Sequence, residues 1–194
     1  MIMNYKRIEE MQAQITALQN ELNTMKQLSQ CNVPVTERIK TFEDACRELG
    51  EDNDLVKQYN EIYSTFHYYV AREENPSKDI IAYLKLRIIA AALNEGWAPM
   101  FTQDECRYSP YFRLYTQEEY DCMCEEWKQK HPLLLWGGNA DFGASCGLVS
   151  SDSGYAWPDA WAYLGSRLAV KSEKLAVYFG TQFSEIWKDY IFKN

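Results

Sequence analysis

Chemistry in a chain needs nucleophiles, titratable groups or metal ligands at workable spacing. The six cysteines are Cys31, Cys46, Cys106, Cys122, Cys124 and Cys146, and only Cys122 and Cys124 stand close, as C-x-C. That spacing differs from the C-x₂-C pairs of zinc sites, and His67 and His131 are the only histidines able to complete one. The six thiols therefore read as scattered free cysteines made in a reducing cytosol. His67, among Phe66, Tyr68 and Tyr69, reads as a packed or surface residue. The acidic run Glu118, Glu119, Asp121, Glu125 and Glu126 reads as a solvated helix face near a favourable N-terminal dipole end rather than a metal cluster. No Ser/His/Asp or Cys/His arrangement is apparent. The expectation is a protein that is not an enzyme and that uses no cofactor and no metal.

Recognition is the chemistry that the residue types favour. From Gly137 to Leu164 there is no Lys, Glu, Gln, Met or Arg, although these are abundant elsewhere. Asp141, Asp152 and Asp159 stand there with Phe142, Tyr155, Trp157, Trp161 and Tyr163 among Gly, Ala and Ser. Rigid aromatics with small polar residues compose binding loops, because they supply contact area at low entropic cost. Gly, Asp and Ser favour turns over helix, so the stretch is expected to be an irregular loop. It opens on a Gly137-Gly138 turn and closes on a strand, Tyr163 to Val170. The three aspartates lack the regular spacing of a calcium loop.

The elements that must position this stretch are mostly helical. Ile8, Ile15 and Leu22 at heptad position a, with Met11, Leu18 and Met25 at d, predict an oligomerising coiled coil within residues 1–30. It would be a dimer or a trimer; the alternative is a helix packed on its own domain through a narrow seam. Residues 31–40, with Pro34, read as a linker, followed by a helical region with one strand over 41–130.

Within that region Thr41 caps a helix Phe42 to Leu49, which Gly50 stops. A second helix runs from Asp54 to about Arg72, with Leu55, Tyr59, Ile62, Tyr63, Phe66 and Tyr69 apolar. A third, Lys78 to Asn94, turns Ile80, Ile81, Leu84, Ile88, Ile89, Ala92 and Leu93 inward and should be central to the core. Cys106 to Tyr115 reads as a strand that Pro110 places at an edge or a bulge. Thr116 and Glu119 form a capping box for a helix Gln117 to Lys130. Over 131–194, packed with the helical region as one globular unit, a short strand Leu133 to Trp136 leads into the loop. Ser172 caps a last helix to about Ile191, in which Gly180 marks close packing.

The frame Gly137-Gly138-Asn139-Ala140, then Gly143-Ala144-Ser145-Cys146-Gly147-Leu148, then Gly165-Ser166-Arg167-Leu168-Ala169 resembles the carboxy-terminal part of C-type-lectin-like folds of the formylglycine-generating-enzyme type. Within that fold it looks most like the variable proteins of diversity-generating retroelements, carried by phages and bacteria. In those systems AAC codons become NNC codons, which cannot encode Lys, Glu, Gln, Met or Trp. The missing Lys, Glu, Gln and Met fit that restriction, whereas Trp157 and Trp161 depart from it. The resemblance covers the last third of the chain.

The resemblance implies an α+β chain ending in a C-type-lectin-like module of short antiparallel strands and irregular loops. Its ligand-binding residues would be Asp141, Phe142, Ser145, Ser151, Asp152, Ser153, Tyr155, Asp159, Trp161 and Tyr163. Gly137, Gly138 and Gly165 would shape the scaffold. Arg167, in an apolar strand, would hydrogen-bond loop carbonyls or a carboxylate. The implied function is a receptor-binding or adhesin-type protein, made in the cytoplasm and carried on a phage virion or tail. Its partner would be a host-surface protein or glycan, with avidity from the N-terminal helix. The alternative is a non-catalytic structural virion component or scaffold. The enzymes of that fold use cysteines for oxidative chemistry, but no second cysteine stands near Cys146 in sequence. A net charge of −8 disfavours nucleic acid as the main partner. No apolar run approaches the ~20 residues of a membrane span, so no membrane insertion is expected.

Overall fold

The structure, a computed structural model, describes residues 11–12, 14–15, 18–19, 33–70, 78–100, 105–139, 145–156 and 166–192, without the side chains of 66–70, 135–139, 145–156 and 166. It divides into two compact units, Met1–Arg38 and Ile39–Asn194. In the first unit, the described positions between Met11 and Gln19 are helical. Met11, Ile15 and Leu18 of the heptad seam are 56%, 53% and 64% exposed there. Ile8, Leu22 and Met25 lie outside the described residues. After Pro34, within the expected linker, a single helical turn α1 (Val35–Arg38) forms.

Helices predominate in the second unit. Helix α2 (Phe42–Leu49) begins where expected: the Thr41 hydroxyl accepts from the Asp44 N–H, and the Asp44 carboxylate accepts from the Thr41 N–H. It ends at Gly50, whose φ of 85° is the left-handed region that favours glycine. Helix α3 (Asp54–Val70) buries Val56 and Tyr59. Leu55 and Ile62 are only half-buried and Tyr63 is exposed, so its inward face is narrower than expected. The expected apolar residues Phe66 and Tyr69, like His67, have side chains outside the description.

Helix α4 (Lys78–Leu93) is the centre of the core, as its apolar content indicated. It packs on α2 and α3 and on a closing helix described below. Ala82, Leu84, Leu86, Ile88, Ile89, Ala90, Ala92 and Leu93 are all buried, so burial is not confined to one stripe. Ile80 corrects the expected inward set: in the first turn, ahead of the packed region, it is 43% exposed.

Three strands follow: β1 (Arg107–Thr116), β2 (Leu133–Asn139) and β3 (Ser145–Ala156). They pair antiparallel in the order β1-β3-β2. Pro110 lies in β1, an edge strand, and the register shifts between Tyr111 and Arg113. An edge or a bulge is where a residue without an N–H fits a sheet.

Four expectations need correction. First, Gly137-Gly138 is not a turn, because β2 runs through both to Asn139. Second, much of the expected loop is strand, since β3 covers 145–156. The Gly, Ser and Asp residues there disfavour a strand locally, but the β1 ladder supplies the backbone partners that their side chains would otherwise compete for.

Third, the capping box at Thr116 and Glu119 forms as expected, yet the helix it opens breaks in two, α5 (Gln117–Asp121) and α6 (Glu125–Lys130). The bend carries the Trp127 ring edge-on to Tyr115 and Tyr120, with centroids 5.3 and 6.3 Å away. Trp127 also stacks on His131, with centroids 4.4 Å apart.

Fourth, the final helix is also two, α7 (Glu173–Gln182) and α8 (Ser184–Ile191), broken at the buried Phe183. A continuous helix would offer the Phe179 carbonyl to the Phe183 N–H. That carbonyl accepts the Trp187 indole N–H at 3.2 Å. Ser172 caps α7 through the Leu175 N–H, and Gly180 is buried as its close-packing role requires.

Helix α7 packs on β3 and β1, while α8 joins α4 to β2. Trp187, 1% exposed, lies against Phe112 of β1, Phe179 and Tyr190. No helix among the described residues is long and apolar enough to cross a membrane.

Candidate recognition strand and its support

The sheet register places part of the expected recognition set on one strand. Ser151, Asp152, Ser153 and Tyr155 lie in β3. Asp152 stands opposite Tyr111, Ser153 opposite Pro110, and Tyr155 opposite Tyr108. Ser145 opens the same strand opposite Asn139 of β2. Asp141, Phe142, Asp159, Trp161 and Tyr163 lie outside the described residues, as does Gly165. Gly147 sits in register between Tyr115 of β1 and Trp136 of β2, so the central strand is smallest where both neighbours carry aromatic residues.

Beside this strand, β1 presents residues that the sequence reading did not select. Tyr111 is 56% exposed and Leu114 48%, with Arg113 exposed between them. Cross-strand partners on one face interact directly, so Tyr111 is the described neighbour best placed to share a surface with position 152. The loose alternation of Arg107 to Thr116 was the available signal, but alternation alone does not say which face meets water.

The closing segment departs from the expected strand over 163–170. Ser166–Leu168 is a 3-10 turn, and only Val170 makes a bridge, exchanging both backbone bonds with Tyr108 at 2.8 and 3.1 Å. Leu168, Ala169 and Val170 are all buried, which a half-exposed strand with alternating faces does not allow. The groups that would extend a ladder are already engaged by Asn94. Its Nδ2 donates to the Ala169 carbonyl at 2.9 Å, and its Oδ1 accepts from the Lys171 N–H at 3.0 Å. Lys171 also pairs with Glu95 at 2.6 Å. Arg167 is exposed on the 3-10 turn rather than enclosed in an apolar strand. Leu168 and Ala169 are therefore buried where the 3-10 turn packs on α4, and only Val170 beyond them ties the segment to β1. Asn94 was missed because its partners lie 75 and 77 residues away along the chain.

A capping carboxylate stands at the end of β1. The Glu119 carboxylate accepts from the Thr116 N–H at 2.9 Å, and this bond holds its pKa below the usual value. Glu118, Glu119, Asp121, Glu125 and Glu126 are all exposed, as a solvated face should be. The His131 Nδ1 donates to the Trp127 carbonyl at 3.0 Å, which ties the ring to the turn before β2. Among the described residues, no group of three or more His, Cys, Asp or Glu could hold a metal ion.

No family model, curated protein or solved structure matches the chain.

Proposed function

We propose that this chain is a ligand-binding protein of the receptor-binding or adhesin type. It displays a diversifiable surface, drawn from Gly137 to Leu164, on a C-type-lectin-like scaffold resembling the variable proteins of diversity-generating retroelements. The partner is a host-surface protein or glycan, and the protein is carried on a phage virion or tail. The observation that carries the reading is a contrast within one stretch. Long charged side chains are missing throughout Gly137–Leu164, while aromatic, Ser and Asp residues recur. Support also comes from the register, because Ser151, Asp152, Ser153 and Tyr155 belong to a laddered strand beside exposed Tyr111. Side-chain variation is best tolerated on a frame that the backbone holds rigid.

The N-terminal helix multiplies this surface by self-association as a dimer or trimer. The exposure of Met11, Ile15 and Leu18 in the first unit supports that role. One weak contact per copy becomes several linked contacts per assembly.

The test is genetic. The DNA beside this gene should carry a near-copy of the codons for about Gly137 to Ala169, differing at adenines, next to a reverse transcriptase gene. A locus lacking both removes the diversification.

A further inference from the structure

The break between α5 and α6 is a short turn, Cys122-Met123-Cys124, with both thiols exposed. We propose that Cys122 and Cys124 form a reversible intramolecular disulfide, a thiol-disulfide exchange site that acts with small disulfides of the glutathione class. The inference is independent of the ligand-binding reading.

Geometry supplies the first reason. Two Cα steps of ~3.8 Å each put residues i and i+2 at most about 7 Å apart, and closer wherever the chain bends. A disulfide requires a Cα separation of roughly 4.4–6.8 Å. Here the chain does bend at Met123, the residue whose dihedrals set the separation of its two neighbours, between a helical Cys122 and an extended Cys124. A continuous helix through these positions would have set the two side chains on different faces, because i and i+2 do not neighbour each other on a helix.

Anchoring supplies the second reason. The Cys122 N–H donates to the Glu118 carbonyl and the Met123 N–H to the Tyr120 carbonyl, both at 3.1 Å. Beyond the turn, the Lys128 N–H donates to the Cys124 carbonyl at 3.1 Å. The Lys128 ammonium reaches back to the Asp121 carbonyl at 3.3 Å and to Glu125 at 3.2 Å. The thiols thus stand on a turn pinned from both sides.

Selectivity is the third reason. Cys46 and Cys106 are half-buried, and burial is the main cause that pushes the Cys46 thiol pKa up. Exchange requires a thiolate with access to the incoming disulfide, so the exposed pair is favoured over those two.

The exchange balances without another reagent. One cysteine thiolate attacks a sulfur of the small disulfide, forms a mixed disulfide and releases one small thiolate. The second cysteine thiolate attacks the protein sulfur of that mixed disulfide and releases the other. Two protein thiols are oxidised, one small disulfide is reduced to two thiols, and the two cysteine protons pass to the released thiolates.

The experiment equilibrates the full chain in glutathione buffers of increasing oxidised fraction, traps free thiols by alkylation and maps the peptide that spans Cys122 and Cys124. The expected result is an intrapeptide disulfide that rises with the oxidised fraction and reverses on reduction. In C122S, a glutathione adduct should instead accumulate on Cys124 to several-fold its wild-type level, because the resolving thiol is gone. A circular dichroism spectrum matching wild type shows that the exposed substitution leaves the fold intact. The proposal is overturned if both cysteines alkylate as free thiols at every ratio, if Cys124 carries as much adduct in wild type as in C122S, or if oxidation links separate chains instead.

Discussion

Asn94 holds Ala169. The Asn94 Nδ2 donates to the Ala169 carbonyl at 2.9 Å across 75 residues of sequence, and the same amide accepts from the Lys171 N–H at 3.0 Å. Asn94 is 5% exposed and ends the central helix, while Val170 between its two partners bridges to Tyr108 of β1. One side chain thus links the core helix to the edge of the sheet that carries the candidate recognition strand.

Replacing Asn94 with Ala leaves two backbone groups without this partner, at least one of them buried. The expected loss is about 2–3 kcal/mol, since an orphaned buried polar group costs roughly 1–3 kcal/mol. Urea unfolding measures it as a lower midpoint with an unchanged slope. A loss of only a few tenths would mean that water replaces the amide at little cost.

Asp44 makes a pH-dependent contribution to the cap of α2. Its carboxylate accepts from the Lys40 and Thr41 N–H groups at 3.0 and 2.9 Å. The Lys40 bond is the largest cause holding its pKa below the usual 3.8. A depressed folded pKa means that the unfolded chain takes up the proton first. The stabilisation is therefore present above the ordinary carboxylate value and is lost as pH falls through the folded one. Asp44→Asn should flatten this part of the acid limb, and the difference from wild type should shrink towards low pH. The check is urea unfolding of both proteins from neutral pH downwards. A difference that stays constant with pH contradicts the assignment.

Cap and core were legible because their signals are local. Thr41, Gly50 and the apolar run of α4 each act within a turn or two of their own position. The two helix breaks were not legible, because they depend on where Trp127 and Trp187 pack. Indole contacts with Tyr115 and Tyr120, and an indole bond to the Phe179 carbonyl, are tertiary facts. β3 was obscured for the same reason, since its Gly, Ser and Asp content reads as loop until β1 supplies a ladder. The closing strand failed because Asn94 engages the neighbouring backbone groups from a distant helix end.

Self-association should depend on the heptad seam. Substituting Asp for both Ile15 and Leu18 places charge at adjacent a and d positions that are 53% and 64% exposed in the first unit. Sedimentation equilibrium should then give the mass of one 22.7 kDa chain, against two or three times that mass for wild type. A wild-type chain that is monomeric at every concentration would remove the avidity role.

The most direct measurement is the binding of the labelled full chain to a panel of intact bacterial cells, comparing wild type with a variant in which Phe142, Tyr155 and Tyr163 are all Ala. Wild type should bind some strains saturably, and the triple variant should lose at least about tenfold in affinity, or about 1.4 kcal/mol, with an unchanged unfolding midpoint. Equal binding by the two proteins, or no saturable binding of wild type to any strain, would contradict a recognition surface within Gly137–Leu164.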